Sequence, residues 1–207
     1  MKKFQTLEFD RTIYERELNE YNQLLSNNQT LQESKQILPF FRERKMLSSQ
    51  IASILSEFIN IDRIAFEYDL FGNFKSDLVV GDSNSSTYCF VEFEDAQANS
   101  IFTTKQSKYK SEFSYRFEHG FSQIIDWFYY LNQVSSHQIE ERFGVSKIDF
   151  HGILVVGRNH FLRESDDFDR LNWRSNNVIV NSKRVRVVTY DMLSIALNTR
   201  FSSNYFR

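Results

Sequence analysis

Cysteine and proline each occur once in this chain of 207 residues, as Cys89 and Pro39. A single thiol excludes an intrachain disulfide framework and suits a reducing compartment, so the chain is read as cytoplasmic. Lying in an apolar stretch, Cys89 is expected to be a small buried hydrophobe rather than a reactive thiol. With only six glycines beside that proline, the composition excludes a flexible linker or a disordered tail. Long hydrophobic runs are missing too: nothing approaches the ~18 apolar residues of a membrane span, and "MKKFQTLEFD" turns acidic before a leader's apolar region could form. No membrane partner is expected. Charge excess of either sign is also lacking, with 25 Lys and Arg against 27 Asp and Glu, so a polyanionic partner would have to be met by a local patch. P-loop, GxGxxG, GxSxG and HExxH motifs are absent, and His119, His137, His151 and His160 lack zinc-ligand spacing, which argues against zinc and nucleotide cofactors.

What is present is a compact apolar composition, 41% hydrophobic with 21 Phe and 10 Tyr. A chain of this length buries about 70% of its unfolded surface, enough for one domain or one domain with an extension. Residues 8–26 space Phe9, Ile13, Leu18, Tyr21 and Leu24 as an amphipathic helix, and "SNNQTLQES" then loosens the chain. Pro39 suits the first turn of a second helix, "PFFRERKMLSSQIASILSEFI", and the two helices are expected to form an N-terminal cap. From Asp62 the period changes: "RIAFEYDL", "DLVVG" and "TYCFVEF" read as three antiparallel strands. A helix over about 117–132, a central strand in "FHGILVVG", a helix in "DDFDRLNWRSN", an outer strand in "KRVRVVTY" and a final helix in "DMLSIALN" follow.

Five acids fall within residues 74–96, "FKSDLVVGDSNSSTYCFVEFEDA", which otherwise read as two apolar strands around a polar turn. Symmetric pairing about "DSNSST" sets Val80 opposite Cys89, Gly81 opposite Tyr88 and Asp77 opposite Glu92, with Cβ atoms of such pairs ~5 Å apart. Glu94 shares the face of Glu92, while Cys89, Val91 and Phe93 take the other, so that one face would be core and the other a site. Like charges facing each other destabilise a sheet, and a hard divalent cation relieves them; the alternative is an exposed face on which the acids stay solvated. On the helix, His119, Gln123, Trp127 and Tyr130 form a ladder beside an apolar stripe of Phe117, Phe121, Ile124, Ile125, Phe128 and Leu131. A start near residue 117 would put Gln123 close to the helix N-terminus, where backbone N–H groups favour an anion.

An Asp on one strand, an acid-x-residue pair on the next and a Gln on the following helix together resemble the PD-(D/E)XK nuclease superfamily. Within it, "SDLVVGD", "FVEFEDAQANSIF", "HGFSQIIDWFYYL", "HGILVVGRNHFLRESDDFDRLNW" and "VVTYDML" resemble the Shedu anti-phage defence family over roughly residues 64–197. The resemblance implies an α/β fold (an α+β mixed sheet) with a restriction-endonuclease-like core over residues 61–207 and an N-terminal helical extension over 1–60. It implies a metal-dependent endonuclease in which Asp77 and Glu92 hold Mg²⁺ or Mn²⁺ and Gln123 helps hold the site or orient the substrate. Glu94 stands where the superfamily usually has Lys, as a general base or an additional ligand, and Lys75, Lys105 and Lys108 are the candidates for a migrated positive charge. DNA is the implied partner, with RNA also open, and Lys105, Lys108, Lys110, Arg116 and His119 are the implied contacts. Lys183, Arg184 and Arg186 form a further basic run that reads more as solvated surface. The apolar N-terminal helices leave room for a homo-oligomer.

Two other readings stand beside this one. A nuclease-like fold without the Lys could survive as a module that binds nucleic acid or protein. A glycosidase could use Asp77 and Glu92 as its two carboxylates, since a ~5 Å separation suits a retaining enzyme, although Gln123 would then be idle.

Overall fold

A computed structural model describes residues 3–103, 110–163 and 165–202. Lys105 and Lys108 lie outside these residues. A seven-stranded mixed sheet in the order β1-β2-β3-β4-β7-β9-β8 organises the chain. Its strands are β1 (Gln5–Thr6), β2 (Arg63–Leu70), β3 (Phe74–Asp82), β4 (Thr87–Phe93), β7 (Asp149–Val155), β8 (Ile179–Val180) and β9 (Lys183–Val188). Neighbours from β1 to β4 run antiparallel, as the short turns of β2–β3 and β3–β4 dictate for those pairs, whereas β7 lies parallel to both β4 and β9. A small hairpin of β5 (Phe102–Thr103) and β6 (Glu112–Phe113) stands apart.

Parallel neighbours require crossovers, and helices supply them. Between β4 and β7 come α4 (Tyr115–Gln133) and α5 (Ser136–Phe143); between β7 and β9 comes α6 (Ser165–Asn177). Ser114 caps α4 by accepting from Phe117 N (3.0 Å), two residues ahead of the expected start. Gln123 is therefore two turns inside the helix, not near its N-terminus, and the anion seat expected there is not formed. α5 is absent from the elements expected from the sequence, although a capping box of Ser135 with Gln138 starts it and Gly144, at φ 77°, stops it.

α1 (Arg11–Asn27) begins at Asp10, whose carboxylate accepts from Ile13 N at 2.9 Å. The single long helix expected after Pro39 is broken into α2 (Leu38–Glu43), α3 (Lys45–Ser49) and a 3-10 turn over Gln50–Ile54, preceded by a π-helical turn over Glu33–Ile37. Tertiary partners override propensity here. Buried Glu17 of α1 accepts from Leu47 N (2.8 Å), Ser48 Oγ donates to Phe41 O (2.6 Å), and Arg44, at the break, reaches Glu20 (2.7 Å).

These N-terminal segments and α7 (Tyr190–Ser202) cover one sheet face, meeting Leu78, Val80, Cys89, Val91, Phe93, Ile153 and Val155. On the other face α4, α5 and α6 meet Val79, Phe90, Leu154, Val185 and Val187. Every residue of β4 is buried, so both faces of this strand are core. The face expected to be a site rather than core is itself packed, because α4 lies directly on the sheet. Gly152 permits this contact: a Cβ there would stand 2.3 Å from Ile124 Cγ2. Trp127, expected on the polar ladder, is fully buried for the same reason, and Cys89 is buried as foreseen. Among the described residues, no helix is long and apolar enough to cross a membrane.

Candidate functional site

The β3–β4 ladder runs from Leu78↔Val91 to Asp82↔Thr87, the register expected from the symmetry of the turn. Asp77 lies one step beyond its end, and its carboxylate accepts from Phe93 N at 3.0 Å in place of a ladder bond. Glu67, across β3 on β2, takes a left-handed φ of 49° and interrupts the β2–β3 ladder beside Asp77. Its carboxylate is engaged by Lys75 (2.6 Å) and Arg42 (3.2 Å). Lys75 is thus committed to Glu67.

Glu92 and Glu94 are 8% and 4% exposed, which removes the solvated-face alternative. Glu92 sits within hydrogen-bonding reach of Asp77 and its Oε2 is buried without a partner. Burial, then the charges of Asp77, Glu94 and Glu33, push the Glu92 carboxyl far above its ordinary range. Asp77 is raised by burial against the opposing Phe93 N–H and Arg42. Glu94 is raised by burial and held back by His119 and Arg116. Its Oε2 is 3.1 Å from Arg116 Nη1 and its Oε1 3.3 Å from His119 Nδ1. Tyr190 Oη anchors the backbone from α7 by donating to Glu94 O at 2.7 Å.

α4 bears on this stretch of β4 at two levels. A Cβ on Gly120 would lie 2.7 Å from Leu154 and 3.0 Å from Glu94 Cγ, and Trp127 packs on Phe90 with centroids 6.5 Å apart. Gln123 lies between those contacts along the helix, with its Oε1 buried and unpartnered. Arg116 is enclosed by carboxylates, with Asp95 at 3.2 Å and Glu33 at 3.7 Å besides Glu94. Lys110 reaches away to Asp166 on α6 (3.1 Å).

Sequence reasoning missed Glu33 and Arg42. Glu33 enters because Leu31 and Ala96 form a two-way bridge (3.2 and 2.9 Å), after which Glu33 N donates to Asp95 Oδ1 at 2.6 Å. Burial pushes Glu33 up to about 7, with Glu94, Asp77 and Asp95 adding repulsion and Arg116 opposing it. The polar stretch around Glu33 carries no local pattern that could have signalled this.

Glu33, Asp77, Glu92 and Glu94 all have proton affinities raised by burial, the kind of perturbation that functional sites share with structural ion-pair networks. Their chemistry is that of hard oxygen donors, and the orphaned Glu92 oxygen fits a hard cation. Among the described residues, no three His, Cys, Asp or Glu side chains converge closely enough to hold a metal ion by themselves. Mg²⁺ is usually held by only one or two carboxylates, with water and substrate phosphates completing its shell, and Asp77 with Glu92 is a donor set of that size.

No curated protein matches the chain. Residues 30–194 match the family model described as Shedu protein SduA, C-terminal, a span that begins just before the Leu31 bridge and takes in Glu33, Asp77, Glu92, Glu94 and Gln123. The chain belongs to the Shedu SduA C-terminal family.

Proposed function

We propose that this protein is a divalent-metal-dependent endonuclease of the PD-(D/E)XK type, acting on DNA phosphodiesters in anti-phage defence. Membership of the Shedu family supports the defence role. The observation that carries the chemistry is Glu92, a buried carboxylate with an orphaned oxygen beside Asp77.

Asp77 and Glu92 would hold Mg²⁺ or Mn²⁺. When bound, the cation supplies polarisation of the scissile phosphate and a more acidic water. Asp77 is kept in place by the Phe93 N–H, so its second oxygen is the one available to a ligand. Glu94 takes the proton of the attacking water, its carboxylate aimed by Arg116 and His119. Arg116 also contributes the positive charge that a lysine would otherwise bring to this position. Gln123 orients substrate or water through its unpartnered amide oxygen side. Glu33 is a further acid at the mouth of the cluster, able to accept a proton near neutral pH.

The test is cleavage of linear and circular DNA by the purified chain with Mg²⁺, Mn²⁺ or EDTA, beside Glu92→Ala and Glu94→Ala. Metal-dependent cleavage that vanishes in Glu92→Ala supports the enzyme. A wild type that cuts nothing, and whose thermal stability is indifferent to Mn²⁺, supports the non-cutting module instead. That second reading draws on Glu94 already being satisfied by Arg116 and His119.

A further inference from the structure

A cavity of about 740 Å³ lies at the opposite end of the sheet from the acids. Its floor includes His151 and Gly152 near the start of β7, whereas Glu92 is in register with Leu154 near that strand's end. Strand alternation puts Arg184 and Arg186 of β9 on the same face, since Ile153 pairs with Arg186. Both arginines are exposed, and neither has an ion pair or hydrogen bond among the described residues. Lys183 and His151 are different: both are engaged by Asp149, His151 at 3.2 Å. The unpaired cation of the cavity is therefore confined to one pair of guanidinium groups. Ile54, Leu55 and Ile179 line the same cavity, and Ile179 is 54% exposed.

We propose that this cavity binds a small phosphorylated ligand of nucleotide size, with Arg184 and Arg186 on the phosphate and the three apolar side chains against its body. Guanidinium groups match phosphate geometry with paired N–H donors, and a volume of this size with a few polar anchors is that of a small-molecule site. A nucleic-acid track is the poorer fit. Asp149 neutralises Lys183, and Glu57 adds an acid to the rim, so positive charge is not continuous along the surface. Recognition of this kind uses side chains from β9 and the 50–57 segment, not a glycine-rich loop, and leaves no phosphate-binding motif in the sequence. The inference does not depend on the acids being a nuclease site.

Fluorescently labelled ATP titrated against the full chain in EDTA tests it, with unlabelled ATP, AMP, inorganic phosphate and duplex DNA as competitors. Saturable binding is expected, weakened about tenfold or more by Arg184→Ala with Arg186→Ala, since charge-assisted bonds are lost. Ile179→Glu should weaken it too, while Glu92→Gln should leave it unchanged. These side chains are exposed, and circular dichroism confirms folding of each variant. Absence of saturable binding, equal binding by the double arginine variant, or loss of binding in folded Glu92→Gln overturns the proposal. Inorganic phosphate competing as well as ATP overturns the nucleoside part, and duplex DNA competing better than ATP makes the cavity part of a nucleic-acid surface instead.

Discussion

Arg116 Nη1 lies 3.1 Å from Glu94 Oε2, so a half-exposed cation on the first turn of α4 closes over a carboxylate that is almost wholly buried in the sheet. The two are not equal partners. Arg116 has solvent as an alternative, but among the described residues Glu94 has only the side chains of Arg116 and His119. Replacing Arg116 by Ala is expected to cost about 1–3 kcal/mol, the range for leaving a buried polar group short of a partner. Lysine at 116 should recover part of this. Urea denaturation of the wild type and both variants measures it, and an unchanged midpoint in Arg116→Ala would show that water replaces the guanidinium.

Glu92→Gln should separate stability from function. Without metal the substitution removes a carboxyl that resists ionisation, so at pH 8 the variant should melt at or above the wild-type temperature. With Mn²⁺ the order should reverse, because a ligand that binds only the native state raises its stability and the variant has lost a donor. Thermal melts with and without Mn²⁺ give both comparisons. A variant that retains the full Mn²⁺ shift would remove Glu92 from the metal site.

Stability without metal should fall as pH rises. Glu33 moves from an ordinary 4.5 to about 7 on folding, and Asp77 and Glu92 are shifted in the same direction, so the native state holds more protons than the unfolded chain above pH 4.5. The slope of unfolding free energy with pH is then negative. The contribution of Glu33 is intact below 4.5 and is lost as pH rises through about 7. Denaturation at a series of pH values should show this slope reduced in Glu33→Gln, and an identical slope would place the titration elsewhere.

Gly120→Ala tests the seat of α4 on the sheet. The added Cβ would meet Leu154 Cδ1 at 2.7 Å and Glu94 Cγ at 3.0 Å, both on side chains that are themselves buried. Overpacking of this kind costs about 1–3 kcal/mol, and here it also displaces Glu94. Any metal-dependent cleavage should therefore drop more than global stability does. Parallel melting and cleavage assays decide between a local and a global effect.

Cys89 should be inert in the native state. The thiol is fully buried, and burial pushes its proton affinity well above that of a free thiol. A disulfide-exchange reagent is expected to label it at the rate of global unfolding. Fast labelling under native conditions would reveal local opening of β4.

The hairpin register, the placement of Glu92 and Glu94 on the α4 face, the amphipathic run of α4 and the burial of Cys89 were all determined by the sequence alone. Each rests on a local rule: period two in a strand, period 3.6 in a helix, and polar residues at a turn. Tertiary structure decided the rest. Glu33 joins the acids only through the Leu31–Ala96 bridge, and the long helix after Pro39 breaks because Glu17 and Glu20 of α1 engage Leu47 and Arg44. Arg116, expected on a nucleic-acid surface, is surrounded by Glu33, Glu94 and Asp95, and the pairing of Arg184 and Arg186 with Ile54 and Leu55 exists only across the cavity. These are contacts between segments far apart in the chain, and no local periodicity encodes which distant side chain will neutralise a buried charge.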